Sequence, residues 1–362
     1  MDVHLEVPRF GEFARQLANV RSVDIEACLS IQKSKGGRIG DLLQQQDLVS
    51  REQLLEVLRR QARWVANMRS RDVSASRFPL STPLSLCMPC YNEADVIVDC
   101  LEGACAVLPE FLEEFEIIVV DDGSQDATAE LVERCARQDD RIRLIRHDTN
   151  QGYGAAVTTG LRAARGEWIC FTDGDGQFNL LDLPQLLVWA SEFDVVVGYR
   201  YQRADHGLRR FNAHGWNWLI RCMLGVRVRD LDCAFKLFHR RVVERLQLTS
   251  QGACINAEIL AQCFRGGLTI HEVPVNHFPR YNGKATGANF NVVAKAFREL
   301  PRLWPYRATS MLSNGNGESA SNGEVCRAAV VSTHLPHVAN LTHAPQHLDD
   351  TRTPIQASSP HR

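Results

Sequence analysis

Residues 116–136, EIIVVDDGSQDATAELVERCA, decide how the chain is read. An unbroken apolar run, Ile117 to Val120, suits a strand buried on both faces. It stops at Asp121 and Asp122, where Gly123 and Ser124 supply turn chemistry. A helical pattern follows. Upstream, LSLCMPCYNEADVIVDCL (84–101) repeats the strand, turn and helix, turning at Tyr91-Asn92-Glu93. Downstream, RIRLIRH (141–147) is a third strand and NQGYGAAVTTGLRAARG (150–166) opens a third helix. EWICFTDGDGQF (167–178) is a fourth strand ending in acids, and DVVVGYR (194–200) a fifth. This alternation predicts an α/β domain with a mainly parallel sheet flanked by helices. Ligands in such sheets bind at the carboxyl ends of the strands. Asn92, Asp121, Asp122, Asp173 and Asp175 all fall there.

Asp173-Gly174-Asp175 places two carboxylates two residues apart after a buried strand. That is costly unless a cation or hydrogen bonds satisfy them. Oxygen ligands suit Mg²⁺ or Mn²⁺, and such a site commonly shares its ion with substrate phosphates. Gln177 adds another oxygen. A plain polar turn would also account for an Asp-Gly pair. The second acidic turn at 121–122 favours the cation.

The chain has 362 residues, a formal net charge of −2, 44% hydrophobic and 23% charged residues. These values exclude a wholly disordered chain, a collagen and a coiled-coil rod, and no global charge points to nucleic acid. No apolar run reaches the roughly 20 residues of a membrane span. The N-terminal residues lack a signal-peptide core. The expected location is cytoplasmic, with a peripheral position at the inner face of the cytoplasmic membrane. The twelve cysteines read as reduced in such a compartment, and Cys87-x-x-Cys90 as packing.

Four regions follow: a helical repeat over 1–64, a linker over 65–82, the α/β domain over 83–305 and a tail over 306–362. Residues 308–362 hold no Phe, Trp or Tyr. Such a segment buries too little apolar surface to offset chain entropy, so the tail is expected to be disordered.

The first region contains two 24-residue units, RFGEFARQLANVRSVDIEACLSIQ (9–32) and RIGDLLQQQDLVSREQLLEVLRRQ (38–61), separated by KSKGG. Aligned without gaps, Arg9/Arg38, Gly11/Gly40, Val20/Val49, Leu29/Leu58 and Gln32/Gln61 are identical. Each unit reads as a short helix, a turn and a second helix. Apolar matches suit a packing repeat, whereas repeated Arg, Gly and Gln are more than packing alone demands. These residues resemble the cyclic di-GMP-binding N-terminal domain of type II secretion and pilus ATPases, with its pattern RLGxxLxxxGLIxxxxLxxxLxxQ. Asp47 and Ala18 stand where that pattern has Gly. The resemblance implies that Arg9, Gly11, Gln32, Arg38, Gly40 and Gln61 bind cyclic di-GMP. Arg pairs with phosphate or guanine edges, and Gly permits close backbone approach.

PCYNE, VVDDGSQDAT, NQGYGAA and TDGDGQ, in this order, resemble glycosyltransferase family 2 with the Rossmann-like GT-A fold. VRDLDCAFKLFHR and VPVNHFPRYNGKATG resemble its branch of dolichyl-phosphate mannosyltransferases and bacterial polyprenyl-phosphate glycosyltransferases. The resemblance implies inverting transfer from a nucleotide-sugar donor. Asn92, Glu93, Asp121, Asp122 and Asp173 would line the donor pocket, with Asp121 meeting the base. Asp173, Asp175 and Gln177 would hold the metal and diphosphate. Arg280 and Lys284 would lie in a loop near the sugar diphosphate. Cys90 stands where the family has Ala or Thr. The QxxRW motif of processive synthases is absent, which favours a single transfer.

Residues 200–241 carry ten Lys/Arg against three Asp, a local +7. Arg203, Arg209 and Arg210 cluster early in this segment, and the resemblance adds Lys236 as a group that binds the acceptor phosphate. A sugar hydroxyl acceptor needs a general base. A phosphate monoester has a second pKa near 6 and is already ionised at pH 7. Asp230 or Asp232 is therefore either the base for a hydroxyl or an orienter of Lys236 and a neighbouring Arg, and the spacing favours Asp230. Asp175, Asp230 and Lys236 form the expected catalytic set. Two other readings stay open: transfer to a soluble or protein hydroxyl, and a nucleotide-sugar-binding scaffold that recruits partners through its N-terminal helices.

Overall fold

The computed structural model describes residues 10–35, 38–72, 80–200, 219–278, 299–306 and 330–332. Four helices come first: α1 (Phe10–Ala18), α2 (Ser22–Lys35), α3 (Ile39–Gln45) and α4 (Arg51–Asp72). Buried positions repeat with the sequence: Ala14 matches Leu43, Val20 matches Val49, and Cys28 matches Val57. The turn inside each unit passes through a left-handed residue, Asn19 at φ 53° and Asp47 at φ 52°. Short Asn and Asp side chains tolerate that region best after Gly. Asp47 thus takes the conformation for which a glycine would be expected there.

The repeated glycines are explained by helix packing, which corrects the expectation that packing does not demand them. A Cβ on Gly11 would stand 2.9 Å from Ile25 Cγ2, and one on Gly40 2.6 Å from Leu54 Cδ1. Ile25 and Leu54 occupy the same place in the two units. Each short helix therefore approaches the long helix of its own unit at the glycine.

Helix α4 runs on to Asp72, through residues expected to start a linker. No Gly or Pro interrupts 51–72, and Arg, Gln and Ala favour helix. Ala62, Val65 and Ala66 are buried in the same apolar core as the sheet. The helical unit is thus seated on the α/β domain.

That domain is an eight-stranded sheet in the order β3-β2-β1-β4-β6-β5-β7-β8. The strands are β1 (Leu84–Cys90), β2 (Phe115–Asp121), β3 (Ile142–Arg146), β4 (Trp168–Phe171), β5 (Val195–Arg200), β6 (Lys236–His239), β7 (Ile270–Val275) and β8 (Val330–Ser332). Only β6 runs antiparallel to its neighbours among them. The expected mainly parallel α/β sheet is observed. Central β1 is buried along its whole length, which explains its apolar run without alternation. Helices α5 (Ile97–Val107), α6 (Thr128–Gln138) and α7 (Tyr153–Ala163) follow the first three strands. Short α8 (Leu183–Leu187) precedes β5, and α9 (Arg240–Arg245) and α10 (Ile255–Arg265) lie between β6 and β7. The tail expected to be disordered contributes β8, parallel to β7. The rest of it lies outside the described residues.

All cysteines among the described residues are free. Burial pushes the Cys87 and Cys90 thiols up, which keeps them protonated packing groups.

Candidate active site

The carboxyl ends of β1, β2 and β4 converge because the three strands are adjacent and parallel. The turn after β1 is latched to the loop after β2. Asn92, left-handed at φ 55°, donates its backbone N–H to Ser124 Oγ at 2.8 Å and accepts from the Gln125 N–H at 2.8 Å. The Glu93 N–H donates to Thr128 Oγ1 at 2.9 Å, and the Ala94 N–H to Asp126 Oδ2 at 3.2 Å. The NE of PCYNE and the DGSQDAT loop therefore form one unit. Gly123 makes the loop possible: at φ 73° a Cβ there would meet the Thr149 carbonyl carbon at 2.6 Å.

Asp121 and Asp122 have opposite surroundings. Asp121 is fully buried. Its Oδ1 accepts from the Ser124 N–H at 3.1 Å. Its Oδ2 has no hydrogen-bond partner, although Arg146 Nε stands 3.4 Å away. Asp122 accepts from the Gln151 N–H at 2.9 Å, the Gly152 N–H at 2.8 Å and His147 Nδ1 at 2.7 Å. His147 Nε2 lies 3.0 Å from Thr159 Oγ1. Asp122 was expected in the donor pocket. Its oxygens are instead taken up in holding the β3–α7 loop.

Past β4, Asp173 Oδ1 accepts from the Tyr153 hydroxyl at 2.9 Å. Burial and neighbouring Asp175 push the Asp173 carboxyl well up. Asp175 is buried, and its Oδ1 accepts from the Gln177 N–H at 3.0 Å. The Gln177 amide Nε2 donates to the Phe278 carbonyl at 2.9 Å, tying the acidic loop to the end of the β7 region. The loop thus concentrates negative charge in a poorly hydrated place, the situation a divalent cation relieves. Among the described residues no group of three His, Cys, Asp or Glu forms a complete metal cage.

On the other side of β4, Asp230 is gripped by Arg200 at the end of β5. Arg200 Nε and Nη2 donate to its two oxygens at 2.6 and 2.8 Å, and the Arg200 backbone N–H adds 3.2 Å. Lys236 has zero exposure. Its ammonium donates to the Leu231 carbonyl at 3.1 Å, to the Cys233 carbonyl and to Asn256 Oδ1 at 2.8 Å. Burial lowers its pKa. Lys236 was expected to bind an acceptor phosphate; here its three protons are donated to groups inside the protein. Arg203, Arg209, Arg210, Arg280 and Lys284 lie outside the described residues.

Sequence reasoning missed Tyr153, His147 and Arg200. Tyr153 sits in the quoted NQGYG motif, so a signal existed. His147 and Arg200 are single residues ending strands, with no pattern of their own. In the helical unit, Arg38 pairs with Asp41, Nε to Oδ2 at 2.9 Å. Gln32 and Gln61 are half-buried, and Arg9 lies outside the described residues.

Residues 85–247 match the family described as Glycosyl transferase family 2. A glycosyltransferase (AglD) of Haloferax volcanii is 32% identical over 211 residues, covering 56% of this chain and 34% of that protein. An undecaprenyl-phosphate 4-deoxy-4-formamido-L-arabinose transferase of Pseudomonas fluorescens is 31% identical, covering 55% and 58%. A dolichyl-phosphate beta-glucosyltransferase of Trichomonas vaginalis is 33% identical, covering 54% and 66%. The chain thus spans between 34% and 66% of the length of these curated relatives. The structure of glucosyl-3-phosphoglycerate synthase from Mycobacterium tuberculosis with Mn²⁺ and UDP-glucose aligns at 17% identity and TM-score 0.48, covering 68% of this chain and 82% of that one. Residues 85–247, which carry the acidic strand ends and their latched loops, match the Glycosyl transferase family 2 model, and relatives over this stretch are named as glycosyltransferases.

Proposed function

We propose that this protein transfers a sugar from a nucleotide-sugar to a polyprenyl phosphate, with inversion and with help from Mg²⁺ or Mn²⁺. The observation that carries the reading is the pairing of Asp173 and Asp175 past the end of β4, across β1 from Asp121, whose buried Oδ2 lacks a hydrogen-bond donor. A nucleobase N–H would supply that donor. Asp173 and Asp175 would hold the metal, and with no protein cage around them the remaining ligands would come from the diphosphate and water. When bound, the ion neutralises charge developing on the leaving nucleoside diphosphate. Gln177 would add its amide oxygen to the metal's ligands, oriented by its amide nitrogen, which donates to the Phe278 carbonyl.

The relatives' names, undecaprenyl-phosphate and dolichyl-phosphate transferases, support the acceptor class. So does the Arg200–Asp230 clamp. A carboxylate gripped by a guanidinium through two hydrogen bonds suits an orienter better than a base, and an ionised phosphate acceptor needs no base. What the enzyme then supplies is alignment and charge balance. No helix among the described residues is long and apolar enough to cross a membrane. A lipid acceptor therefore implies that this portion docks at a membrane surface, and the basic segment 200–241 suits anionic headgroups. Regulation by cyclic di-GMP is part of the proposal and rests on the repeated Arg and Gln, since Gly11 and Gly40 are accounted for by packing.

The test is a screen of labelled nucleotide-sugars with polyprenyl phosphate, with and without cyclic di-GMP, on the full chain and on Asp175→Ala. Transfer should require the lipid phosphate and be abolished in Asp175→Ala. Near-normal turnover in the variant overturns the metal assignment. Transfer to a soluble hydroxyl instead of the lipid overturns the acceptor.

A further inference from the structure

The acidic loop 173–177 is supported from behind by two elements that no donor-site reasoning uses. The first is α5. Cys100 Sγ lies 3.7 Å from the Gly174 carbonyl, and a Cβ on Gly176 would stand 3.4 Å from the same sulfur. The second is the helical unit. Arg38 Nη2 lies 3.9 Å from that same Cβ position. Gly176 is left-handed at φ 72°, and the space a side chain would fill there lies toward both groups.

Arg38 is held in this place from its own side. Asp41, three residues on in α3, grips its guanidinium through Nε and Nη2. The helical unit is in turn fixed to α5. Arg51 forms ion pairs with Asp99 at 2.9 Å and with Glu102. Arg63 pairs with Glu110 at 2.7 Å, and Ala62, Val65 and Ala66 share the core of the sheet. Asp99 and Glu102 flank Cys100 on one helix. Any shift of α3 or α4 against α5 therefore changes the surroundings of Gly174, which Cys100 meets, and of Gly176, beside which Arg38 stands.

We propose that the N-terminal helical unit positions the acidic loop 173–177, with Arg38 as the positioning residue. The consequence for catalysis rests on the reading of that loop as the donor site. Arg38 is not a catalytic residue: it stands beside Gly176 on the side of Cys100 and would act on the loop from there. A ligand that captured Arg38 would have to compete with Asp41 and would withdraw this support. That gives the repeat a physical route to the catalytic centre.

The experiment uses the full chain, with Arg38→Ala and Asp41→Asn, the second of which frees Arg38 without removing it. Hydrogen exchange is followed in the peptide covering 172–178 and in α5, with the thermal midpoint measured alongside. Mn²⁺ binding is titrated by electron paramagnetic resonance. Both variants should exchange about fivefold faster at 172–178, in the range of ordinary site-to-site coupling. Exchange in α5 and the thermal midpoint should stay as in the parent. Unchanged exchange at 172–178, or faster exchange everywhere with a lowered midpoint, overturns the proposal. The Mn²⁺ titration separates the two readings. Weaker Mn²⁺ binding in Arg38→Ala extends the effect to the donor site. A parent protein showing no Mn²⁺ binding that Asp175→Ala removes overturns the metal reading, while the exchange result still decides the role of Arg38.

Discussion

Replacing Asp230 by Asn separates two acceptor chemistries. The structure allows its cost to be worked out. The carboxylate receives two charge-assisted hydrogen bonds from Arg200 and one from its backbone. Side-chain exposure is 13% for Arg200 and 8% for Asp230, so solvent screens the pair little. Breaking a buried pair outright costs about 3–5 kcal/mol. Asn keeps one oxygen acceptor, so about 2–3 kcal/mol is expected, measured by denaturant midpoint at unchanged slope. If Asp230 only orients Arg200, transfer to polyprenyl phosphate should fall about 10- to 100-fold, the scale of a small misplacement. Its pH profile should still rise through about 6, where the phosphate loses its second proton. A general base contributes about 10²–10⁴-fold, so size alone does not decide. The double variant Arg200→Gln/Asp230→Asn does. Removing both partners leaves no buried unpaired guanidinium, so the double variant should be more stable than the single and no less active. A loss above about 10³ in kcat, with full stability in the single variant and no recovery in the double, refutes the orienting role.

Lys236→Met leaves the acceptors at Leu231, Cys233 and Asn256 without their donor, at about 1–3 kcal/mol each. Unfolding should show a large loss, and the folded fraction should keep its acceptor KM; a tenfold higher KM at full stability restores the phosphate-binding role. Gly40→Ala forces a Cβ to within 2.6 Å of Leu54 Cδ1 and should cost about 1–3 kcal/mol by overpacking, seen as a lower midpoint for the helical unit. Buried His271, its ring tilted 34° against Trp189 at 4.1 Å between centroids, has its pKa lowered by burial to about 4. A depressed base makes stability complete above the unfolded value of about 6.5 and lost as pH falls toward 4, by at most about 1.4 kcal/mol per unit. His271→Phe should flatten that slope, and an unchanged slope argues against it.

The parallel sheet was legible because its strands are buried on both faces, so apolar runs such as Ile117–Val120 stand out against their helices. The helical repeat was legible as a repeat, but the meaning of its glycines was not. Gly11 and Gly40 read as more than packing demands, and the approach of Ile25 and Leu54 gives them a packing reason that the sequence did not show. The end of α4 was misplaced because Arg- and Ser-bearing sequence near 69–72 looks like a linker, while Val65 and Ala66 bury one face of that helix. The candidate acids stood out through their motifs. Their individual fates did not, since sequence does not tell which oxygen meets a backbone amide. Lys236 shows this most clearly: a lysine in a basic segment reads as surface charge, yet one strand position turns it wholly inward.

The fates of the acids themselves indicate where a ligand belongs. Asp122 and Asp230 are gripped by the protein's own donors, His147 with two backbone amides in one case and Arg200 in the other. Such groups hold loops in place. Asp121 is equally buried but keeps one oxygen without a hydrogen bond. Asp173 accepts from the neutral Tyr153 hydroxyl, while Asp175 raises its charge burden. Buried polar groups in native proteins are ordinarily satisfied. On the proposed reading, the unsatisfied oxygen of Asp121 and the crowded charge at Asp173, at the ends of the two strands that flank β1, mark the donor site, while Asp122 and Asp230 are filled from within the protein. On that argument Asp121→Asn should raise the donor KM while leaving kcat nearly intact, because the uncharged amide still meets Ser124 but presents a different face to the base. Asp122→Asn should instead loosen the β3–α7 loop and lower stability, seen in the thermal midpoint. If the two variants behave alike, the contrast between neighbouring aspartates carries no functional meaning.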